Sequence, residues 1–175
     1  LFLSFFLYSN LSAKINITDI KITGNDRINN QTIEEIIGFE KNKFYQTKDI
    51  NDFQKKLFET NFFEKIIVKI NGTSLAIEVK ENPLVDFFYI EGVKNKDRED
   101  QIYNQLSLGQ NKIFSEQILK KDLEKIYDIY RNAGYLNVNV EPKISKQDKN
   151  LINLVLKIDR GENIKIDRIY FIGDK

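Results

Sequence analysis

The chain has 175 residues, of which 41% are hydrophobic and 30% charged, with a net charge of +1. That suits one ordinary folded domain or two small ones, and the even mixing of Lys with Asp and Glu offers neither a basic block for nucleic acid nor a charge stripe for a membrane surface. Cysteine and histidine are absent, which excludes disulfides, thiolate metal sites, zinc enzymes, cysteine hydrolases and Ser-His-Asp hydrolases within this segment.

Leu1 to Ala13 is apolar and uncharged. It is shorter than the roughly 20 residues that cross a bilayer. It fits the apolar core of a secretory signal, with Leu11-Ser12-Ala13 as the cleavage site, so residues 1–13 are expected to be a signal remnant and the mature chain to work outside the cytoplasm. The alternative is a buried strand or a hydrophobic anchor. A chain without methionine that opens on Leu1 reads as a piece of a longer protein.

From Ile15 to Thr23 apolar residues alternate, first at Ile15 and Ile17, then at Ile20 and Ile22. The phase slips by one near Asp19, as a bulge in a single strand would do. Gly24-Asn25-Asp26 is turn chemistry. A short helix is predicted over Thr32 to Gly38, with Ile33, Ile36 and Ile37 on one face. A second starts at Thr47 as N-cap and carries Ile50, Phe53, Leu57 and Phe58 as its apolar stripe, with Asn61 as a left-handed cap beyond it. Strands follow at Phe63 to Ile70 and Leu75 to Lys80, joined by the hairpin signal Asn71-Gly72. Glu81-Asn82-Pro83 closes the module, because proline interrupts the ladder.

The same order then repeats. Val85 to Glu91 is a strand ending at Gly92. A helix covers Asp97 to Ser107, and Ser115 caps a longer one with Leu119, Leu123, Ile126 and Tyr130 inward. Gly134 ends that helix. Strands are predicted from Tyr135 to Val140 and from Leu151 to Ile158, with a polar loop from Ser145 to Asn150. Ile169-Tyr-Phe171-Ile-Gly173 begins the order a third time. An apolar pair followed by glycine thus recurs at Gly24, Gly92 and Gly173, a spacing of about 70 to 80 residues that marks a tandem array of small modules.

Each module reads as strand, helix, helix, strand, strand, an α+β unit. The last two strands pair antiparallel across their short turn, and the first reaches its partner only after two helices, which permits a parallel pairing. The expected result is a three-stranded mixed sheet covered on one face by both helices, with the fourth element in chain order left at an edge. Residues 14–82 and 83–161 form the two complete modules, and 162–175 the first strand of a third.

That order of elements, the strand-turn glycines, Asn61-Phe-Phe-Glu64, Gly134-Tyr-Leu-Asn137 and the closing Glu78-Val-Lys-Glu-Asn-Pro83 resemble POTRA domains. The similarity is to those of Omp85-family outer-membrane assembly factors, and it covers nearly all of the chain from Ile15 on. It implies periplasmic modules ahead of a membrane β-barrel. They would receive unfolded outer-membrane proteins and work with a periplasmic chaperone and accessory lipoproteins of the assembly complex. It implies no cofactor and no catalytic residue. Related readings are a two-partner secretion transporter, a TamA-like protein or an FtsQ-like division protein. A reading of a different class is a periplasmic carboxylate-based hydrolase or ligand-binding protein, which would need paired buried carboxylates in one cleft.

An edge strand offers free backbone groups to which an extended segment of another chain can add. The candidate edges are Phe63 to Ile70 and Val138 to Ile144. On the first, the residues singled out are Phe63, Lys65, Ile67 and Lys69; on the second, Val138, Val140 and Lys143. Lys65, Lys69, Glu141, Pro142 and Lys143 are the edge guards. Phe62 and Tyr135, where helix meets edge strand, are candidates for a groove beside it, with core packing as the alternative. The acids at Asp97, Glu99 and Asp100 read as a solvated helix start.

Overall fold

The computed structural model describes residues 14–162, and the chain divides between Glu81 and Asn82 into two compact units. The expectations for residues 1–13 and for the strand of the third copy lie outside the described residues.

Unit 1 contains β1 (Ile15–Ile17), β2 (Asp19–Thr23), α1 (Asn30–Ile37), β3 (Lys43–Tyr45), α2 (Thr47–Glu59), β4 (Phe63–Asn71) and β5 (Ser74–Glu81). Its main sheet has the order β2-β5-β4, with β2 parallel and β4 antiparallel to β5. The phase slip near Asp19 is a break between two strands rather than a bulge within one. A single strand with that slip would turn one of its isoleucine pairs to the wrong face. The chain instead breaks at Thr18, whose amide donates to the Thr73 carbonyl. β1 leaves to pair antiparallel with β3, with Ile15 opposite Tyr45.

α1 is capped by Asn29, whose side chain accepts from the Thr32 amide at 2.8 Å, and it ends at Gly38 with φ +70°. α2 takes Gln46, not Thr47, as its cap. The carboxylate of Asp49 reaches back to the Gln46 amide at 2.7 Å, the reciprocal arrangement that sets a helix start one residue earlier. Ile33, Ile37, Phe53 and Leu57 pack on Leu75 and Ile77. Phe58, expected in the apolar stripe, is 49% exposed, because it lies at the rim where α2 passes β4.

Unit 2 contains β6 (Leu84–Glu91), α3 (Lys96–Gln105), α4 (Glu116–Asn132), β7 (Asn139–Gln147) and β8 (Leu151–Asp159). The sheet order is β6-β8-β7, again with one parallel and one antiparallel pair. Ser115 caps α4 by accepting from the Ile118 amide. Ile102, Ile126 and Tyr130 pack over Ile90, Leu154 and Leu156. β7 begins later and runs further than its sequence suggests, from Asn139 to Gln147, and the turn shrinks to Asp148, Lys149 and Asn150. Lys149 and Asn150 both take positive φ, which lets three residues reverse the chain. The polar stretch from Ser145 reads as loop only because it is exposed on an edge.

The two units repeat fine detail as well as order. Asn42 and Asn111 both have φ +61° and donate to the carbonyls of Ile17 and Val85. The β1–β3 pair of unit 1 reduces in unit 2 to a single bridge between Leu84 and Ile113.

Candidate functional site

Among the described residues β4 and β7 each pair on one side only. Alternation in an antiparallel ladder decides which of their backbone groups face the open side. In unit 1 the Val79 carbonyl is turned toward β2, where it underlies Gly24. Leu75, Ile77 and Val79 therefore serve β2, and Ser74, Ala76, Glu78 and Lys80 serve β4. The opposing residues Asn71, Lys69, Ile67 and Lys65 spend their amides and carbonyls inside the sheet. Ile66, Val68 and Ile70 point theirs outward. Among the candidates, then, Ile67 lies on the right strand but in the inward register.

Unit 2 follows the same logic. The Leu84 amide donates to the Asn150 carbonyl at 3.1 Å, so Ile152, Leu154 and Leu156 face β6. Ser145, Lys143 and Glu141 of β7 then bond to β8, while Ile144, Pro142 and Val140 face out. Pro142, which has no amide hydrogen, falls on the outward register, the one place in a ladder where proline fits. It removes a donor from the middle of the β7 edge.

The β4 edge has a different guard. Gln54 of α2 donates its Nε2 to the outward carbonyl of Ile66 at 3.2 Å. Lys65 is turned instead toward Glu78 on β5, 4.0 Å away and exposed, and Lys69 is exposed. Beside the edge a groove of about 520 Å³ runs between α2 and β4, lined by Gln54, Lys55, Phe58, Glu64, Lys65 and Ile66. Phe58 and Gln54 are the residues that sequence reasoning missed. Only the i, i+4 spacing of Gln54 and Phe58 on α2 hinted at a shared face.

The remaining candidates divide between core and rim. Phe63 is 3% exposed and Phe62 packs edge-on against it at 6.3 Å, so Phe62 belongs to the core side of the sheet and does not line the groove. Val138 precedes β7 by one residue and packs on the core, while Val140 is buried. Tyr135 lines a smaller hollow of about 190 Å³ with Leu136, Val138 and Tyr127. Lys143 is exposed on β7.

Each sheet has an opposite edge, β2 or β6. β2 is only five residues long, and β6 changes register between Val85 and Phe87. Shortness and irregularity are two ordinary protections of an edge. That leaves β4 and β7, each nine residues long. β4 shifts register only at its start, between Phe63 and Lys65, and keeps its outward amides from Ile66 to Ile70, whereas Pro142 removes one from the middle of β7.

A second device holds the turn after β2. Glu81, 4% exposed, accepts from the amides of Asp26, Arg27 and Ile28 and from Arg27 Nε, all at 2.9 Å. Burial alone would raise its pKa, but the Ile28 amide, the Arg27 guanidinium and the other two amides outweigh it and hold the carboxyl below its ordinary range.

A mixed three-stranded sheet under two helices, repeated in tandem and turned at a glycine of the same geometry in each unit, defines a class of small modules. The POTRA family model, described as surface antigen variable number repeat, matches residues 15–82 and 83–161, and the chain belongs to that family.

Its POTRA region is BamA-like. It is 26% identical over 165 residues to the outer membrane protein assembly factor BamA of Neisseria meningitidis serogroup B, covering 93% of this chain and 21% of that one. It is 24% identical over 164 residues to BamA of Nitratidesulfovibrio vulgaris, covering 91% and 21%. The chain thus spans about a fifth of the length of these curated relatives. In fold it is similar to the N-terminal domain of Omp85 from Thermosynechococcus elongatus, with a TM-score of 0.59 at 17% identity over 85% of this chain and 64% of that one. POTRA1-2 of the periplasmic domain of Omp85 from Anabaena gives 0.55 at 14% identity, over 86% and 98%.

Proposed function

We propose that this chain is the periplasmic POTRA region of an outer-membrane protein assembly factor. In this reading the β4 edge receives extended segments of unfolded outer-membrane β-barrel proteins by strand addition. The observation that carries it is the outward register of Ile66, Val68 and Ile70 on a nine-residue edge strand with a groove alongside. Backbone pairing ignores side-chain identity, which suits a receiver of many clients, and the groove takes alternate side chains of the added strand. Two relatives named as assembly factors, and a solved fold neighbour from a periplasmic domain, support the location and the client class.

The role is one of holding rather than converting, without catalytic residue or cofactor. Residues 14–82 and 83–161 act as successive modules of a scaffold that also meets a periplasmic chaperone and accessory lipoproteins, ahead of a barrel outside this segment. Residues 1–13 serve as the export signal. β7 is the weaker receiver, because Pro142 interrupts its outward donors.

The test is a pair of proline variants. Val68→Pro deletes an outward donor and leaves the β4–β5 ladder intact, whereas Ile67→Pro deletes a ladder bond. A strand peptide from an outer-membrane barrel protein should bind folded Val68→Pro about tenfold more weakly than the parent, while Ile67→Pro chiefly destabilises unit 1. Undiminished capture by folded Val68→Pro contradicts the proposal.

A further inference from the structure

A cavity of about 260 Å³ opens in unit 2 beside the Gly92 turn, between the first turn of α3 and the end of α4. Its charged lining residues are Lys94, Arg98 and Arg160, with no carboxylate among them. The Arg98 guanidinium lies 5.2 Å from the Tyr130 ring centre and 5.7 Å from that of Tyr135. Arg160 approaches the same Tyr135 ring at 5.1 Å and donates from Nη1 to its hydroxyl at 3.0 Å. Two guanidinium groups thus share one ring, and among the described residues neither forms an ion pair.

Arg98 Nη1 is buried and has no hydrogen-bond partner among the described residues. An unpaired buried donor on a charged group is costly, and like charges brought together add to that cost. A bound anion relieves both. Burial pushes the Tyr130 hydroxyl above its ordinary pKa, against the opposite pull of Arg98 and Arg160.

We infer that this cavity binds an organic carboxylate, a carboxyl group on an apolar stem, held by Arg98 and Arg160. The Tyr135 hydroxyl accepts from Arg160 and so keeps its own proton to donate. Planar guanidinium groups match the two oxygens of a carboxylate. Val93 and the ring carbons of Tyr130 and Tyr135, which line the cavity beside the guanidinium groups, give the stem an apolar seat. The cavity is below the size of pockets for drug-sized ligands, in keeping with one terminal or side-chain carboxyl. The inference is independent of strand addition at β4, which lies in the other unit.

The test is titration of the 175-residue chain with N-acetyl-Gly-Leu, with its C-terminal amide, with N-acetyl-Glu amide and with inorganic phosphate, followed by calorimetry and NMR. The free acid should bind at least about tenfold more tightly than the amide, and Arg98→Gln or Arg160→Gln should each weaken it about tenfold. Arg160 is exposed, so its variant keeps the test meaningful if Arg98→Gln fails to fold. Arg131→Gln, on α4 and paired with Asp128, should change affinity less than about twofold. Binding of the Glu probe in preference to the dipeptide acid supports the same chemistry and assigns its source to an acidic side chain. Equal binding of acid and amide, phosphate bound as tightly as the carboxylates, or full affinity in folded Arg160→Gln would overturn the inference.

Discussion

The Val79 carbonyl oxygen occupies the space a side chain at Gly24 would need: a Cβ there would come within 2.0 Å of it. Gly92 stands in the same relation to Ile158, also at 2.0 Å, and both glycines have positive φ, +85° and +94°. The recurring glycine therefore marks a crossing, where the first strand leaves its sheet over the backbone of its parallel neighbour.

Alanine at Gly24 or Gly92 should cost about 3 kcal/mol or more, since it combines a left-handed residue with a backbone collision. Alanine at Gly72, which has φ +63° but nothing within 4 Å, should cost only about 1 kcal/mol. Chemical denaturation of the three variants checks the ranking.

Acid should weaken unit 1 through Glu81. Its folded pKa lies below the unfolded value because three amides and Arg27 stabilise the carboxylate. The sign follows: the contribution is complete above the unfolded pKa, near 4.3, and fades as pH falls through the folded value. Glu81→Gln should lose about 2 kcal/mol at pH 7 and flatten that acid dependence, which melting temperatures of both proteins between pH 7 and pH 3 would record.

Gln54 competes with an incoming strand for the Ile66 carbonyl. Gln54→Ala should therefore raise the affinity of a strand peptide by about threefold, the size of one ordinary hydrogen bond. A fall in affinity would instead make Gln54 part of the receiving surface.

Phe58 is half exposed on the groove wall. Phe58→Ser should leave the stability of unit 1 within about 1 kcal/mol yet weaken capture several-fold, by removing an apolar seat. Equal affinity in a peptide titration would exclude the groove from the site.

Much of this was legible in the chain. Apolar alternation, the turn at Gly72 and the two amphipathic helices carry the strand order and the parallel first strand, because one-sided burial leaves few other ways to fold them. The β1–β3 pair escaped notice, since three-residue strands carry too little periodicity. The true extent of β7 escaped because an edge strand with both faces wet has loop-like composition. Placing Ile67 among the receiving residues followed side-chain pattern, whereas the in-plane direction of backbone groups depends on register, which only the pairing of Val68 with Ile77 and the turn of Val79 toward Gly24 reveal.

Amide hydrogen exchange along β4, with and without a strand peptide from an outer-membrane barrel protein, tests strand addition most directly. Val68 and Ile70 should gain protection on binding, while Ile67 and Lys69, already bonded to β5, should change little. Uniform protection along the strand, or none at Val68 and Ile70 when the peptide is bound, would contradict it.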